Sequence, residues 1–183
     1  MSEVTERKFG WWDMWVHPDD DPRSDENFDG ERATLLGYLR DYRLTLEMKC
    51  AGLDAAQLAA RSVPPSNLSL LGLLRHLAGV EQTWFRLRMA GQDGPRLYRS
   101  EDNPNGDFDD AVADPAMVAE AWERWREEVA FADAYVAGQA DLGVIGAAGD
   151  PLRQVLVHLI EEYARHCGHA DLIRERVDGR VGQ

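Results

Sequence analysis

HLIEEYARHCGHADLIRE, residues 158–175, carries apolar residues at a spacing near 3.6 and a polar stripe beside them. At about 100° per residue, with His158 set at zero, His169 falls at ~20°, Glu162 at ~40° and His166 at ~80°. Leu152, Val155, Leu159, Tyr163, Ala170, Ile173 and Val177 spread over ~60° to ~140°, which centres the apolar face near 100°. His166 is therefore predicted to point toward the core. Glu162 is predicted to lie at the edge of that face, with His169 and His158 further round. Glu162 and His166 are one turn apart on a shared face, as a four-residue step requires.

The same period recurs upstream. LSLLGLLRHLAGVEQTWF, residues 68–85, places a single imidazole, His76, on the flank of an apolar helix. Val80, Leu73, Trp84 and Leu77 lie on one side of it. Gly72, Gly79 and Thr83 lie on the other, small enough to leave a cavity or admit another helix. A first helix runs from Glu31 to about Gly52, with Leu35, Leu36, Leu39, Leu46 and Met48 in period. LDAAQLAARSVPPSN then adds a short turn before Pro64 and Pro65. Ser66 or Asn67 is the expected cap of the second helix, which runs to about Met89. Asp114-Pro115 opens a third helix that fades near Gly138. Asp150-Pro151 repeats that signal before the fourth, which ends near Val177.

Residues 91–113, GQDGPRLYRSEDNPNGDFDDAVA, form a long polar connection, and its acidic part reads as a solvated turn. No convincing strand and no internal repeat is present. The reading is all-α: a four-helix bundle over residues 30–179 with a long crossover connection, an irregular N-terminal arm over 1–29 and a loose tail over 180–183. The arm, with WWDMWVHPDDDPRSDENFDG at 11–30, is expected to pack on its own bundle, with a dimer contact or a pocket lid as the alternatives.

Charge narrows the partners. The chain has 183 residues, 33 acidic against 20 basic, and a net charge of −13. Such a surface repels phosphate backbones and anionic membranes, so neither nucleic acid nor a membrane is an expected partner. The opening MSEVTERKFGWWDMW lacks the pattern of a signal peptide, and no apolar run reaches the length of a membrane span. Cys50 and Cys167 are too few for a disulfide framework. The expectation is a cytoplasmic protein acting on a small molecule; monomer and homodimer are both open, and the aromatics at the start lean towards a homodimer.

Two imidazoles and a carboxylate converging between helices would make a three-ligand site for a divalent metal, with one position open to water or substrate. His76, Glu162 and His166 are the candidate ligands, His169 and then His158 the candidate supports, and Glu81 and Tyr163 further candidates near the ion. The competing reading is a core histidine with a satisfied hydrogen bond and a surface Glu–His pair. Mixed nitrogen and oxygen ligands discriminate weakly among zinc, nickel, iron and manganese.

PPSNLSLLGLLRHLAGVEQTWF and IEEYARHCGHADLIRERVDG resemble the DinB-like superfamily, in the branch of actinobacterial proteins that includes the mini-circle protein. The resemblance spans about Glu31 to Gly179. It implies a four-helix bundle with a long crossover and a divalent metal between the helices. Many members carry three histidines, two of them as an HxxxH pair on the last helix; here Glu162 stands for the first of that pair. In this the chain is similar to the mycothiol-dependent maleylpyruvate isomerases, which hold zinc with a His, Glu, His set. The resemblance implies His76, Glu162 and His166 as ligands and a low-molecular-weight thiol, mycothiol or a relative, as co-substrate. The activity it implies is thiol transfer to, or isomerisation of, a small electrophile. A metal-dependent hydrolase and a non-enzymatic metal-stabilised scaffold or dimerisation module are the alternatives.

Overall fold

The computed structural model describes residues 16–23 and 27–181. Its helices are α1 (Gly30–Cys50), α2 (Ala55–Leu58), α3 (Leu70–Glu81), α4 (Gly106–Asp109), α5 (Pro115–Ala137) and α6 (Leu152–Asp178). No strand is present among the described residues; one isolated bridge joins Ile145 to Pro151. The four long helices pack α1 on α6, α6 on α3 and α3 on α5. None of the described helices is long and apolar enough to cross a membrane.

The helices start where local chemistry favours it. Asp114 accepts from the Ala116 amide at 2.9 Å, with Pro115 in the first turn of α5. α3 is capped one turn later than the sequence suggested. Ser69, fully buried, accepts from the Gly72 amide at 3.1 Å, whereas Ser66 accepts from the Leu68 amide and Asn67 donates to Asp109. Asp150 does not cap α6 either. Its carboxylate is taken by Arg88 at 2.7 Å, which ties the α5–α6 link to the end of the second long helix. α6 stops at Gly179, whose φ of 83° suits a residue without a Cβ.

α3 runs without a break into a π-helical segment, Gln82–Met89. The wider winding rotates Gln82, Trp84 and Arg86 away from their α-helical directions. Such segments often accompany functional sites, because they re-aim side chains without ending the helix.

Leu46, Leu73, Leu77, Phe85, Leu156 and Leu159 are fully buried. Each contributes about 1.5–3 kcal/mol relative to an exposed position. The apolar stripes of α3 and α6 meet along this core, which brings the His76 flank to the Glu162–His166 edge. The described part of the arm packs on α1: Phe28 sits over Gly37 and meets Tyr38 edge-on, and Arg23 reaches Thr45. Trp11, Trp12 and Trp15 lie outside the described residues, as does the end of the tail.

The crossover departs from the expected solvated turn. It folds back on α3 and forms the single turn α4. Asp107 there is 1% exposed. Arg75 holds the turn by donating to the Gly106 carbonyl at 3.0 Å, while its guanidinium lies 4.4 Å from the Tyr98 ring centre. Phe108 packs into the space left by Gly72. The acidic run is buried at one position because Phe108 is pulled onto α3 and carries its neighbour inward.

Candidate metal centre

His76 from α3 and Glu162 and His166 from α6 offer donor atoms that all lie within 4.8 Å of one another. Glu162 Oε2 is 3.3 Å from His166 Nε2 and 3.7 Å from His76 Nε2. In a tetrahedral site with bonds of about 2.0–2.1 Å, neighbouring donors stand ~3.3 Å apart. The Glu162–His166 separation matches that spacing, and the His76 side would have to draw closer for all three groups to share one ion. The rings of His76 and His166 meet edge to face, 4.7 Å between centres.

Asp107 makes this more than a cluster of hydrogen bonds. Its Oδ2 lies 2.8 Å from His76 Nδ1. A carboxylate there fixes the proton on Nδ1, so a neutral His76 turns the lone pair of Nε2 toward Glu162 Oε2. A lone pair facing a carboxylate oxygen is repulsive unless a cation stands between them, either a proton on Nε2 or a metal ion. Burial disfavours a charged His76, but the hydrogen bond to Asp107 and the nearby Glu162 carboxylate outweigh it and raise the pKa above the ordinary histidine value. Glu162 is held well below the usual carboxylate range, first by the neighbouring His166 and then by His76.

Two further histidines flank the group. His158 Nε2 is 3.3 Å from the other oxygen of Glu162, and its ring lies against Trp84 at 4.5 Å. His169 Nδ1 is 3.2 Å from His166 Nδ1, on the side of that ring away from Glu162. His169 thus faces the outer nitrogen of His166 rather than the convergence point.

Glu81 and Tyr163 direct their hydrogen bonds elsewhere. Arg43 grips both oxygens of Glu81 at 2.8 and 2.9 Å. Tyr163 donates to Glu81 at 2.9 Å and accepts from Trp125 at 2.8 Å. These four side chains are buried together beneath a cleft of about 540 Å³ between α1 and α5, which none of the three convergent donors lines.

A smaller pocket of about 150 Å³ opens onto His76 and Glu162. Gly79, Thr83, Trp84 and Leu97 form its walls, with Arg96 and Arg99 contributed by the crossover. The small residues beside His76 thus border a cavity at Gly79 and Thr83 and admit Phe108 at Gly72. Asp107, Phe108, Arg96 and Arg99 were not singled out from the sequence. Nothing in NPNGDFDD separates Asp107 from Asp109 and Asp110 except the burial that folding produces.

The chain's own thiols are poor nucleophiles. Cys50 and Cys167 are buried, and burial pushes their pKa values up to about 12 and about 11. Both are protonated at neutral pH, so a thiolate reaction here needs a thiol from outside.

The family model of the Mycothiol-S-transferases matches residues 34–179, and the chain belongs to that family. No curated protein and no solved structure matches it. The matched span holds all three convergent donors, Asp107 and both arginines of the pocket. The protein is an enzyme of mycothiol-dependent transfer to an electrophile.

Asp107 predicts a graded effect. If His76 is a ligand, the carboxylate behind it raises its basicity and fixes its ring, and losing such a partner typically costs 10–100-fold in metal affinity. Asp107→Asn is expected to weaken zinc affinity by about that factor, read by competition with a chromophoric chelator. Unchanged affinity would exclude a supporting role.

Proposed function

We propose that His76 Nε2, Glu162 Oε2 and His166 Nε2 hold a divalent metal, and that thiol transfer takes place in the pocket beside it. The observation carrying this reading is the convergence of two imidazole nitrogens on one carboxylate oxygen, with His76 locked from behind by Asp107. Two histidines and a carboxylate with an open position are a donor set of catalytic zinc sites; nickel, iron and manganese accept the same mixed donors. A divalent cation bound there would supply the charge that keeps mycothiol's sulfur as a thiolate at neutral pH.

The residues divide the remaining work. Asp107 keeps the Nδ1 proton of His76, so that Nε2 presents its lone pair. His158 meets the outer oxygen of Glu162, and the Trp84 ring limits how far that imidazole swings. His169 meets the outer nitrogen of His166. Thr83, Trp84 and Leu97 narrow the space beside the donors and exclude bulk water from a reacting sulfur.

Calorimetry with mycothiol separates this from thiol binding elsewhere. Zinc-loaded protein is expected to release heat on titration with mycothiol, and the metal-stripped protein is not. Equal heats from the two forms would place the thiol away from the metal.

A further inference from the structure

One wall of the pocket beside His76 opposes the charge of the whole protein. The chain carries 33 acidic and 20 basic residues. Yet the pocket is lined by two arginines, Arg96 and Arg99, and by a single acidic residue, Glu162. A bound cation would offset that carboxylate and leave the pocket positive.

Both arginines are exposed, on main chain that is held in place at Arg96 and through the Arg99 side chain itself. The buried Gln82 donates from Nε2 to the Pro95 carbonyl at 3.2 Å and accepts the Leu97 amide on Oε1 at 2.8 Å. Its side chain thereby clamps the main chain on both sides of Arg96. This clamp comes from the first residue of the π-helical segment. Arg99 donates from Nε to the Pro104 carbonyl at 2.6 Å and stands 3.9 Å from Asp107. Arg96 has no hydrogen bond or ion pair among the described residues, so its donors are open to a ligand. Guanidinium groups on a preset backbone lose less freedom on meeting a planar oxyanion, and they match a carboxylate through paired N–H groups.

We propose that the electrophile accepted here carries a carboxylate, seated against Arg96 and Arg99. This rests on the placement of thiol transfer in this pocket. The anion then lies at the crossover wall and the reacting carbon faces His76 and Glu162. In the transfer the mycothiol sulfur forms a bond to that carbon, the leaving group departs with its bonding electron pair, and the thiol proton is released to solvent.

The test uses the full-length, zinc-loaded protein, mycothiol, and a matched pair of substrates: a chlorodinitrobenzoate and its methyl ester. In both, the carbon–sulfur bond replaces the carbon–chlorine bond and chloride leaves; only the charge differs. Each kcat/KM is divided by the uncatalysed rate constant with mycothiol. The carboxylate is expected to be preferred by about tenfold or more, and Arg96→Gln and Arg99→Gln each to reduce that preference by about tenfold. Arg96→Lys, which keeps the charge but not the fork, is expected to restore part of it.

Equal normalised rates for the two substrates, or a preference untouched by both glutamine variants, would overturn the proposal. So would a KM for mycothiol that rises as much as the preference falls, since the arginines would then serve the thiol. His76→Ala distinguishes the underlying reading. If it abolishes both rates while the arginine variants change no preference, only the carboxylate assignment fails. If it leaves both rates intact, transfer occurs elsewhere and the site reading falls together with this proposal.

Discussion

Purified His166→Ala protein is expected to carry less than about a tenth of the zinc of the wild type and to lose at least about 100-fold in mycothiol transfer, since removing even an outer partner of a ligand costs 10–100-fold. His166 is the best buried of the three donors, 9% exposed, and its Nε2 stands closest to Glu162 Oε2. Without it, two donors from different helices remain, too few for a closed site. His17, an exposed imidazole on the arm, supplies the control. His17→Ala should retain full zinc content by elemental analysis. If His166→Ala kept its metal, the ion would be bound elsewhere.

The second large effect is on stability. Arg43→Met is expected to lower the melting temperature by about 10 °C, from a loss of roughly 3–5 kcal/mol when one partner of a buried ion pair is removed. Glu81 is fully buried, and Arg43 binds both its oxygens. Deleting the guanidinium leaves that carboxylate with Tyr163 alone as a donor. Arg43→Met combined with Glu81→Leu should recover much of the loss, because the double variant strands no charge. Zinc content should stay at the wild-type level in both, as this network shares no hydrogen bond with the three convergent donors. A melting temperature unchanged in Arg43→Met would mean that Glu81 is neutral or reached by water.

The bundle was legible because its signals are local and repeated. Apolar positions near a period of 3.6 mark each long helix, and Asp114-Pro115 marks the start of α5 by the hydrogen bond the structure contains. The polar stripe of α6 was also legible: His166 is buried, while Glu162, His158 and His169 lie at the edge. A helical wheel gives an angle and says little about which neighbour occupies that direction. Tyr163 is one residue past Glu162, so about 100° round, and it meets Trp125 of α5. Glu81 lies five residues past His76, more than a turn further along, and faces Arg43 of α1. On the sequence both are candidates near the ion, with helix packing as the plain reading, and packing is what the structure contains.

Asp107 illustrates the opposite case. It belongs to a segment with no period and a strongly acidic composition, and its burial depends on Phe108 stacking against the His76 ring at 5.1 Å. The sequence points to Ser66 or Asn67 as the cap of α3 because several small polar residues there can cap, and only tertiary packing selects Ser69. The sequence thus carried the donor atoms of the site. The folded crossover supplies the partner that orients them and the arginines that line the pocket.

The most direct measurement is a crystal structure of the zinc-loaded protein with diffraction recorded on both sides of the zinc absorption edge. One anomalous peak is expected about 2.0–2.2 Å from His76 Nε2, His166 Nε2 and a Glu162 oxygen, with the remaining position facing the pocket. A peak elsewhere, or none between these three side chains at full zinc occupancy in solution, would contradict it.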